Sequence, residues 1–234
     1  MMRKNFFVAL VVAVLTTIPA SIKAGENEWF FETETTITTN YIWRGMSVAG
    51  PSVQPGLSVG FSGDLLEVSA EAWANASLDP LYDFKHERTS CNEFDFSLYA
   101  TLGGLTLSVS DYNYSMSNYF NSSYLDNHEL DFQLSYCVSE DLPLSFTWSS
   151  LLYNNYELGE SEFAHYFQFG YEFALVGLDF WCELGAVPTE SWYYDVDGFA
   201  LTNVTLGANL NNAGLQLTYN PAWNDFSFAV SYTF

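Results

Sequence analysis

Six acidic residues and one arginine are the side chains of this sequence that could bind ions or ligands. Each acid lies within a segment in which apolar and polar residues alternate, and each falls on the polar side of that alternation. Carboxylates around one interior attract cations, and an arginine among them forms charge-assisted hydrogen bonds. These side chains therefore predict contacts with ions or ligands inside a lumen. They are Arg44, Glu67, Glu71, Asp95, Asp131, Glu172 and Glu183.

A hydrolytic site is the catalytic alternative, and it would need a nucleophile or water held by histidine with a carboxylate or amide nearby. His86 and His128 lie in or beside predicted loops, and His165 shares a strand face with Phe163 and Phe167. No triad spacing is recognisable, so His165 is better explained as a polar residue at a membrane interface. We predict no catalytic residues and no enzyme activity.

The three cysteines, Cys91, Cys137 and Cys182, are widely spaced and odd in number. They match neither a metal motif nor a disulfide framework. We interpret them as small apolar strand residues, and we predict no metal and no cofactor.

The first 24 residues have the pattern of a secretory signal peptide. Arg3 and Lys4 precede an apolar run at 6–15 that is too short for a membrane-spanning helix, and Ala24 ends the segment. We therefore predict a signal peptide at 1–24 and one domain at 25–234, which is about 210 residues and within the range of a single all-β domain.

Acidity excludes one class of partner. The chain carries a formal charge of −22, and removal of the signal peptide leaves three basic residues, Arg44, Lys85 and Arg88, against 28 acidic residues. Nucleic acid is excluded as a natural partner, because phosphate binding requires clustered lysine and arginine. Disorder is disfavoured as well, because 18% of the residues are aromatic.

These residues are predicted to lie on strands, because alternation of apolar and polar residues with period two recurs along the whole mature chain. It predicts twelve strands, at 33–46, 52–61, 66–76, 92–102, 105–114, 129–138, 144–153, 162–173, 177–187, 199–210, 215–220 and 225–234.

The links between these strands alternate between short turns and longer loops. Such alternation is typical of an up-and-down transmembrane β-barrel, with all its short turns at the periplasmic end. A soluble β-sandwich would also alternate along each strand, and it could expose the acids on its outer side. The short links are 62–65, 103–104, 139–143, 174–176 and 211–214, and the longer ones are 47–51, 79–90, 115–128, 154–161, 188–198 and 221–224.

One acidic residue falls on the wrong face. Asp111 shares its parity with Leu105, Leu107 and Val109, which would direct it towards lipid. Either a bulge shifts the register before it, or it lies at the outer rim of the barrel. The sequence leaves both alternatives open.

The segment NYIWRGMS at 40–47, followed by VQPGLSVGF at 53–61, resembles the start of the Gcw_chp family of bacterial outer-membrane proteins. The matching residues are Tyr41, Trp43, Arg44, Gly45 and Ser47. The resemblance is clear over 38–75 and weaker beyond. It implies an outer-membrane β-barrel, sometimes described as porin-like, and it implies no established substrate.

Arg44 has two interpretations. Tyr41 and Trp43 share the outward parity of the first predicted strand with Ile37 and Thr39, so Arg44 points inward among the carboxylates and should pair with one or more of them. It would then be either an internal latch between strands, which we favour, or a contact for a ligand or ion in a pore.

The chain ends on FSFAVSYTF at 226–234, an alternating segment whose apolar side includes Tyr232 and Phe234. We predict that this last strand pairs with the first and leaves no free edge. A terminal aromatic at this parity also resembles the signal that the bacterial barrel-assembly machinery reads. Phe234 and Tyr232 are therefore the predicted assembly signal.

The predicted fold is an all-β transmembrane antiparallel up-and-down β-barrel of about twelve strands in the bacterial outer membrane. The predicted function is a small porin-like channel with an acidic lumen for passive passage of small solutes or cations. A closed structural or surface-binding barrel and an outer-membrane hydrolase are the alternatives. The predicted partners are outer-membrane lipid, the assembly machinery and divalent cations at the acidic loops; the oligomeric state stays open.

Overall fold

The computed structural model of the protein describes residues 27–78, 81–82, 88–89, 92–114, 128–139, 141–154 and 163–234. The predicted signal peptide, Lys85, His86 and Cys91 lie outside these residues. The strands are β1 (Glu28–Thr38), β2 (Tyr41–Trp43), β3 (Met46–Ala49), β4 (Ser52–Ser62), β5 (Leu66–Ser77), β6 (Leu81–Tyr82), β7 (Arg88–Thr89), β8 (Asn92–Leu102), β9 (Leu105–Asn113), β10 (His128–Cys137), β11 (Leu144–Asn154), β12 (Ala164–Leu175), β13 (Leu178–Val187), β14 (Ala200–Leu210), β15 (Ala213–Asn220) and β16 (Asp225–Thr233).

Twelve of these strands form one closed barrel, in which each strand pairs antiparallel with its neighbours. The order around the barrel follows the chain, and β1 meets β16 at the seam. The predicted all-β, twelve-stranded, up-and-down barrel is confirmed. The described residues contain no helix that is long and apolar enough to cross a membrane.

The two faces of the barrel wall follow the period-two pattern of the sequence. In β8, Glu93, Asp95 and Ser97 are buried towards the interior, while Phe96 and Leu98 are exposed on the outside. The same arrangement holds in β16, where Ser227 and Ala229 are buried and the alternating residues Phe226, Phe228 and Val230 are exposed. The outer surface is consequently apolar, and the interior is polar.

The first predicted strand, 33–46, differs from the structure. The barrel strand β1 ends at Thr38, and the chain then forms a separate two-stranded hairpin, β2 and β3, before β4 begins. The predicted outward position of Tyr41 and Trp43 is therefore wrong, because both rings pack against residues of the barrel interior. The other eleven predicted segments each overlap a barrel strand.

Asp111 lies near the end of β9, two residues before Asn113, where the chain enters a long loop. Its register with β8 and β10 is continuous, so no bulge in β9 precedes it. The rim alternative is thus the one that the structure supports. There the Asp111 carboxylate contacts Nδ1 of His128 at 2.9 Å.

The seam joins the last residues of the chain to β1. The Phe234 N–H donates to the Thr35 carbonyl oxygen at 3.0 Å, and the hydroxyls of Thr36 and Thr233 lie 2.8 Å apart. The predicted pairing of first and last strands is confirmed. Strand β1 begins at Glu28, several residues before its first contact with β16. The C-terminus therefore lies beside the middle of β1 and not beside its first residue.

Deletion of Phe234 should lower the yield of folded barrel, because it removes the hydrogen bond to Thr35 and the ring contact with Tyr232 at 4.9 Å. The folded fraction is measured as the heat-modifiable band after refolding in detergent. Phe228→Ala, an outward residue of the same strand away from the chain end, is the matched control. Equal folded fractions for the deletion and the control would contradict the assigned role of Phe234.

Candidate functional site

The hairpin of β2 and β3 lies inside the barrel and carries Arg44 at its tip. Arg44 and Gly45 both have positive φ angles, of 47° and 84°. Two consecutive positive φ angles are the geometry of a type I′ turn, the tight connection that suits two twisted strands. This turn is what allows a short hairpin to project its arginine into the interior.

Gly45 is required at this point because the backbone of β14 passes directly beside it. A Cβ on Gly45 would lie 1.9 Å from the Thr202 carbonyl oxygen. The amide of Asn220 donates to the Gly45 carbonyl oxygen at 3.3 Å, and Ser47 and Ser227 share a hydroxyl contact of 2.7 Å. The hairpin is thereby fixed to the wall formed by β14, β15 and β16.

Arg44 forms a salt bridge with Asp131 of β10 through Nη2, and its Nη1 donates to the Tyr194 hydroxyl at 2.8 Å. The side chains of Arg44 and Asp131 are 8% and 0% exposed. The predicted pairing of Arg44 with a carboxylate is confirmed. Its guanidinium also lies 4.4 Å from the centroid of the Trp43 ring and 5.1 Å from that of Tyr166.

The Asp131 carboxylate accepts several hydrogen bonds. Besides Arg44, it accepts from the Tyr112 hydroxyl at 3.0 Å, the Gln133 amide at 2.9 Å and the Ser149 hydroxyl at 2.7 Å. These donors come from β9, β10 and β11, so the carboxylate joins three adjacent strands to the hairpin. A buried ion pair needs such additional hydrogen bonds to offset its loss of hydration.

A second segment, 188–199 between β13 and β14, closes over the hairpin. Tyr194 stacks on Trp43 with ring centroids 6.5 Å apart and on Tyr166 at 6.0 Å. Tyr193 donates its hydroxyl to Glu129 at 2.7 Å. Trp43, Tyr166, Tyr193 and Tyr194 thus surround Arg44, and we call these five residues the Arg44 cluster.

Burial and neighbouring charges determine the charge states of Arg44 and Tyr194. Burial lowers the pKa of Arg44, but the Asp131 carboxylate opposes this, and the net pKa lies well above the usual value. Burial raises the pKa of Tyr194 to about 12, although Arg44 acts in the opposite direction. Arg44 is therefore charged and Tyr194 neutral at physiological pH, so the pair forms a cation with a neutral hydroxyl acceptor.

The other predicted acids lie elsewhere in the interior. Glu67 and Glu71 line a cavity of about 500 Å³ near the short-turn end of β1, β4 and β5, and Glu71 accepts from the Tyr99 hydroxyl at 3.0 Å. Glu172 lines a cavity of about 640 Å³ near the short turn between β12 and β13, and Glu183 accepts from the Asn203 amide at 3.2 Å.

Asp95 lies on the inner wall of β8 beside Glu93. Of the six candidate acids, Asp131 alone forms a salt bridge with Arg44 among the described residues. The structure therefore splits the predicted set into one buried pair and carboxylates on other parts of the inner wall.

The two described histidines have separate surroundings. His165 lies on the outer face of β12, with its ring centroid 6.0 Å from that of Trp148. His128 pairs with Asp111 at the rim. The divalent cations predicted at acidic loops concern segments that lie largely outside the described residues.

The aromatic partners of Arg44 were missed by the sequence analysis. The sequence predicts an outward position for Trp43 and does not bring Tyr193 or Tyr194 near Arg44. The dipeptide Arg44–Gly45 is the available signal, because a glycine at the second central position favours a tight hairpin turn over a continuous strand. No sequence signal joins this turn to Tyr194, which lies 150 residues further along.

The chain matches no protein-family model and no curated protein. Its resemblance to the Gcw_chp family therefore stays a prediction. Among solved structures, it is similar to mutant forms of the Rh. blastica porin. One is 9% identical with a TM-score of 0.31, over 88% of this chain and 100% of the porin. A second is 10% identical with the same TM-score and coverage.

Gly45→Ala should destabilise the protein more than Gly103→Ala. Both glycines have positive φ, which costs an alanine about 1–2 kcal/mol, but only at Gly45 would the new Cβ meet backbone. Overpacking adds about 1–3 kcal/mol. Equilibrium urea unfolding in detergent micelles measures both variants, and equal losses of stability would contradict the close contact with Thr202.

Arg44→Gln should cost about 3–5 kcal/mol, because it leaves the Asp131 carboxylate buried without its cation. The double variant Arg44→Gln with Asp131→Asn removes both charges and should recover a large part of that loss. The same unfolding measurement tests this pair. A double variant no more stable than Arg44→Gln alone would show that the ion pair is not what holds the hairpin.

Proposed function

We propose that this protein is a porin-like β-barrel of the bacterial outer membrane whose acidic lumen passes small cations and small neutral solutes. The observation that carries the proposal is the cavity of about 500 Å³ at the short-turn end. Four glutamates are the charged residues of its lining: Glu28, Glu32, Glu67 and Glu71.

The outer surface supports the membrane location. The outward side chains of β16 are apolar and exposed, with Phe226 at 68% and Phe228 at 55%, and Phe234, which follows the strand, is 57% exposed. Exposed aromatic and aliphatic residues recur around the barrel on β8, β12 and β14. Contiguous apolar surface of this extent is costly in water and stable in lipid, where the closed sheet leaves backbone groups paired.

The charge distribution supports selectivity for cations. Within the part of the chain whose side chains the structure describes, Arg44 is the one basic residue, apart from histidines, and Asp131 neutralises it. The carboxylates of the short-turn half have no such partner cation there. A low-dielectric wall focuses their negative potential into the lumen, which attracts cations and repels anions.

The Arg44 cluster narrows the opposite half. The interior side chains at that level are buried, including Asp131, Ser149, Tyr166 and Asn203. We infer that the hairpin and the 188–199 segment set the narrowest part of the pathway. Selection would then depend on width at the Arg44 cluster and on charge below it, with no covalent step.

The same burial favours a second candidate function, a closed barrel that acts as a structural or surface-binding protein. In that case the loops at the long-loop end would carry the activity. The two candidates differ in one measurable property, which is ion conductance through the purified protein.

Planar-bilayer recordings of refolded protein should show small conductance steps with a reversal potential that reports cation preference. Replacement of Glu67 and Glu71 by glutamine should reduce this preference, because it removes two charges from the cavity lining. Glu190→Gln, in the exposed part of the 188–199 segment, is the matched control. Anion preference would contradict the channel proposal, and absence of conductance would favour the closed barrel.

A further inference from the structure

Trp181 lies flat against the inner wall of the barrel, near the short turn between β12 and β13. It is directly opposite Gly207 of β14, and a Cβ on that glycine would be 2.0, 2.1 and 2.3 Å from Cζ2, Cε2 and Cη2 of the indole. Such similar distances to three consecutive ring atoms place Gly207 beneath the face of the ring and not beyond its edge. A glycine within a strand is typical of a point where another group approaches closely. One face of the indole is thereby covered, and the other is directed into the lumen.

Trp181 lines the cavity of about 640 Å³ together with Glu172, Asp179 and Asn209. Glu172 is the cross-strand neighbour of Trp181 on β12, and Asp179 and Asn209 are opposite each other on β13 and β14. Residues in such pairs have Cβ atoms about 5 Å apart, so one small molecule can reach both the ring and the carboxylates. The volume lies in the range of small-molecule pockets, which is roughly 300–1,000 Å³.

The groups that line this cavity are available to a ligand. Among the described residues, Trp181 stacks on no other aromatic ring, and the side chains of Glu172 and Asp179 form no hydrogen bond or salt bridge. Both acids are exposed. The face of an indole attracts a cation through its quadrupole, and carboxylates attract one through their charge. The ring and the acids therefore favour the same kind of ligand.

A small organic ammonium ion fits this combination better than a metal ion or a neutral solute. Its methyl or methylene groups can lie on the indole, while its charge is attracted by the ring and by the carboxylates. The described residues contain no group of side chains that could hold a metal ion. A neutral solute of the same shape would gain nothing from the two negative charges.

We propose that Trp181, Glu172 and Asp179 form a binding site for small organic ammonium ions, such as quaternary ammonium compounds, at the short-turn end of the barrel. Gly207 is a positioning residue, because its missing side chain is what lets the indole lie flat against the wall. The site adds one class of solute to the channel proposed above. Passage of that solute rests on the channel, whereas binding does not require conductance.

Choline and its uncharged isostere 3,3-dimethyl-1-butanol test the site in the full-length refolded protein. Saturation-transfer difference NMR of the ligand methyl protons, in a detergent without ammonium groups, gives both dissociation constants. We expect saturable choline binding that is about tenfold tighter than binding of the isostere, which has the same shape but no charge. Trp181→Leu should weaken choline binding by about tenfold, and Glu172→Gln and Asp179→Asn should each weaken it by a smaller factor.

Trp192→Leu, which removes an exposed tryptophan of the 188–199 segment, is the matched control and should leave choline binding unchanged. Gly207→Ala should weaken binding, because the new Cβ displaces the ring without removing a group that contacts the ligand. Equal affinity for choline and the isostere would overturn the proposal, as would unaltered binding in Trp181→Leu or no saturable binding to the wild-type protein. Choline binding without conductance would contradict the channel and support the site alone. A heat-modifiable gel shift verifies that each variant is folded.

Discussion

Closure of the sheet is the constraint on which the rest of this structure depends. Twelve antiparallel strands joined at the β1–β16 seam leave one continuous outer face and one enclosed inner face. Because side chains alternate along a strand, every apolar residue placed outside has chain neighbours that face the interior, and many of these are polar. The interior therefore holds many polar groups that must find partners in a confined space. The hairpin of β2 and β3 supplies such partners from within the barrel.

The interior acids consequently differ in their hydrogen-bond partners and hydration according to their depth in the barrel. Asp131 is fully buried and receives Arg44 with three further donors. Glu129 is also buried and accepts from the hydroxyls of Tyr114 and Tyr193. Glu67, by contrast, faces the cavity at the short-turn end, where water can hydrate it. Hydrogen bonding replaces hydration only where the hairpin and the 188–199 segment exclude water.

The barrel could be predicted from the sequence because its strands obey a local rule. The parity of Glu93, Asp95 and Ser97 correctly gave their inward direction, and the alternation of link lengths gave the topology. The hairpin could not be predicted in the same way, since Tyr41 and Trp43 continue the alternation of β1. A two-residue period indicates a strand but does not state which sheet the strand joins. The contacts that define the Arg44 cluster come from β10, β12 and the 188–199 segment, and no local pattern encodes them.

The position of Arg44 makes the two halves of the barrel interior differ in charge. Asp131 neutralises the charge of Arg44 at the level of the hairpin, so the Arg44 cluster contributes little net charge to the space below it. The glutamates near the short turns form no salt bridge with Arg44, so among the described side chains they keep their effect on the electrostatic potential. Loss of the hairpin would widen the lumen and expose Asp131, which would extend the negative region upward. In the proposed channel, the hairpin would thus limit both the width of the lumen and the length of its acidic zone.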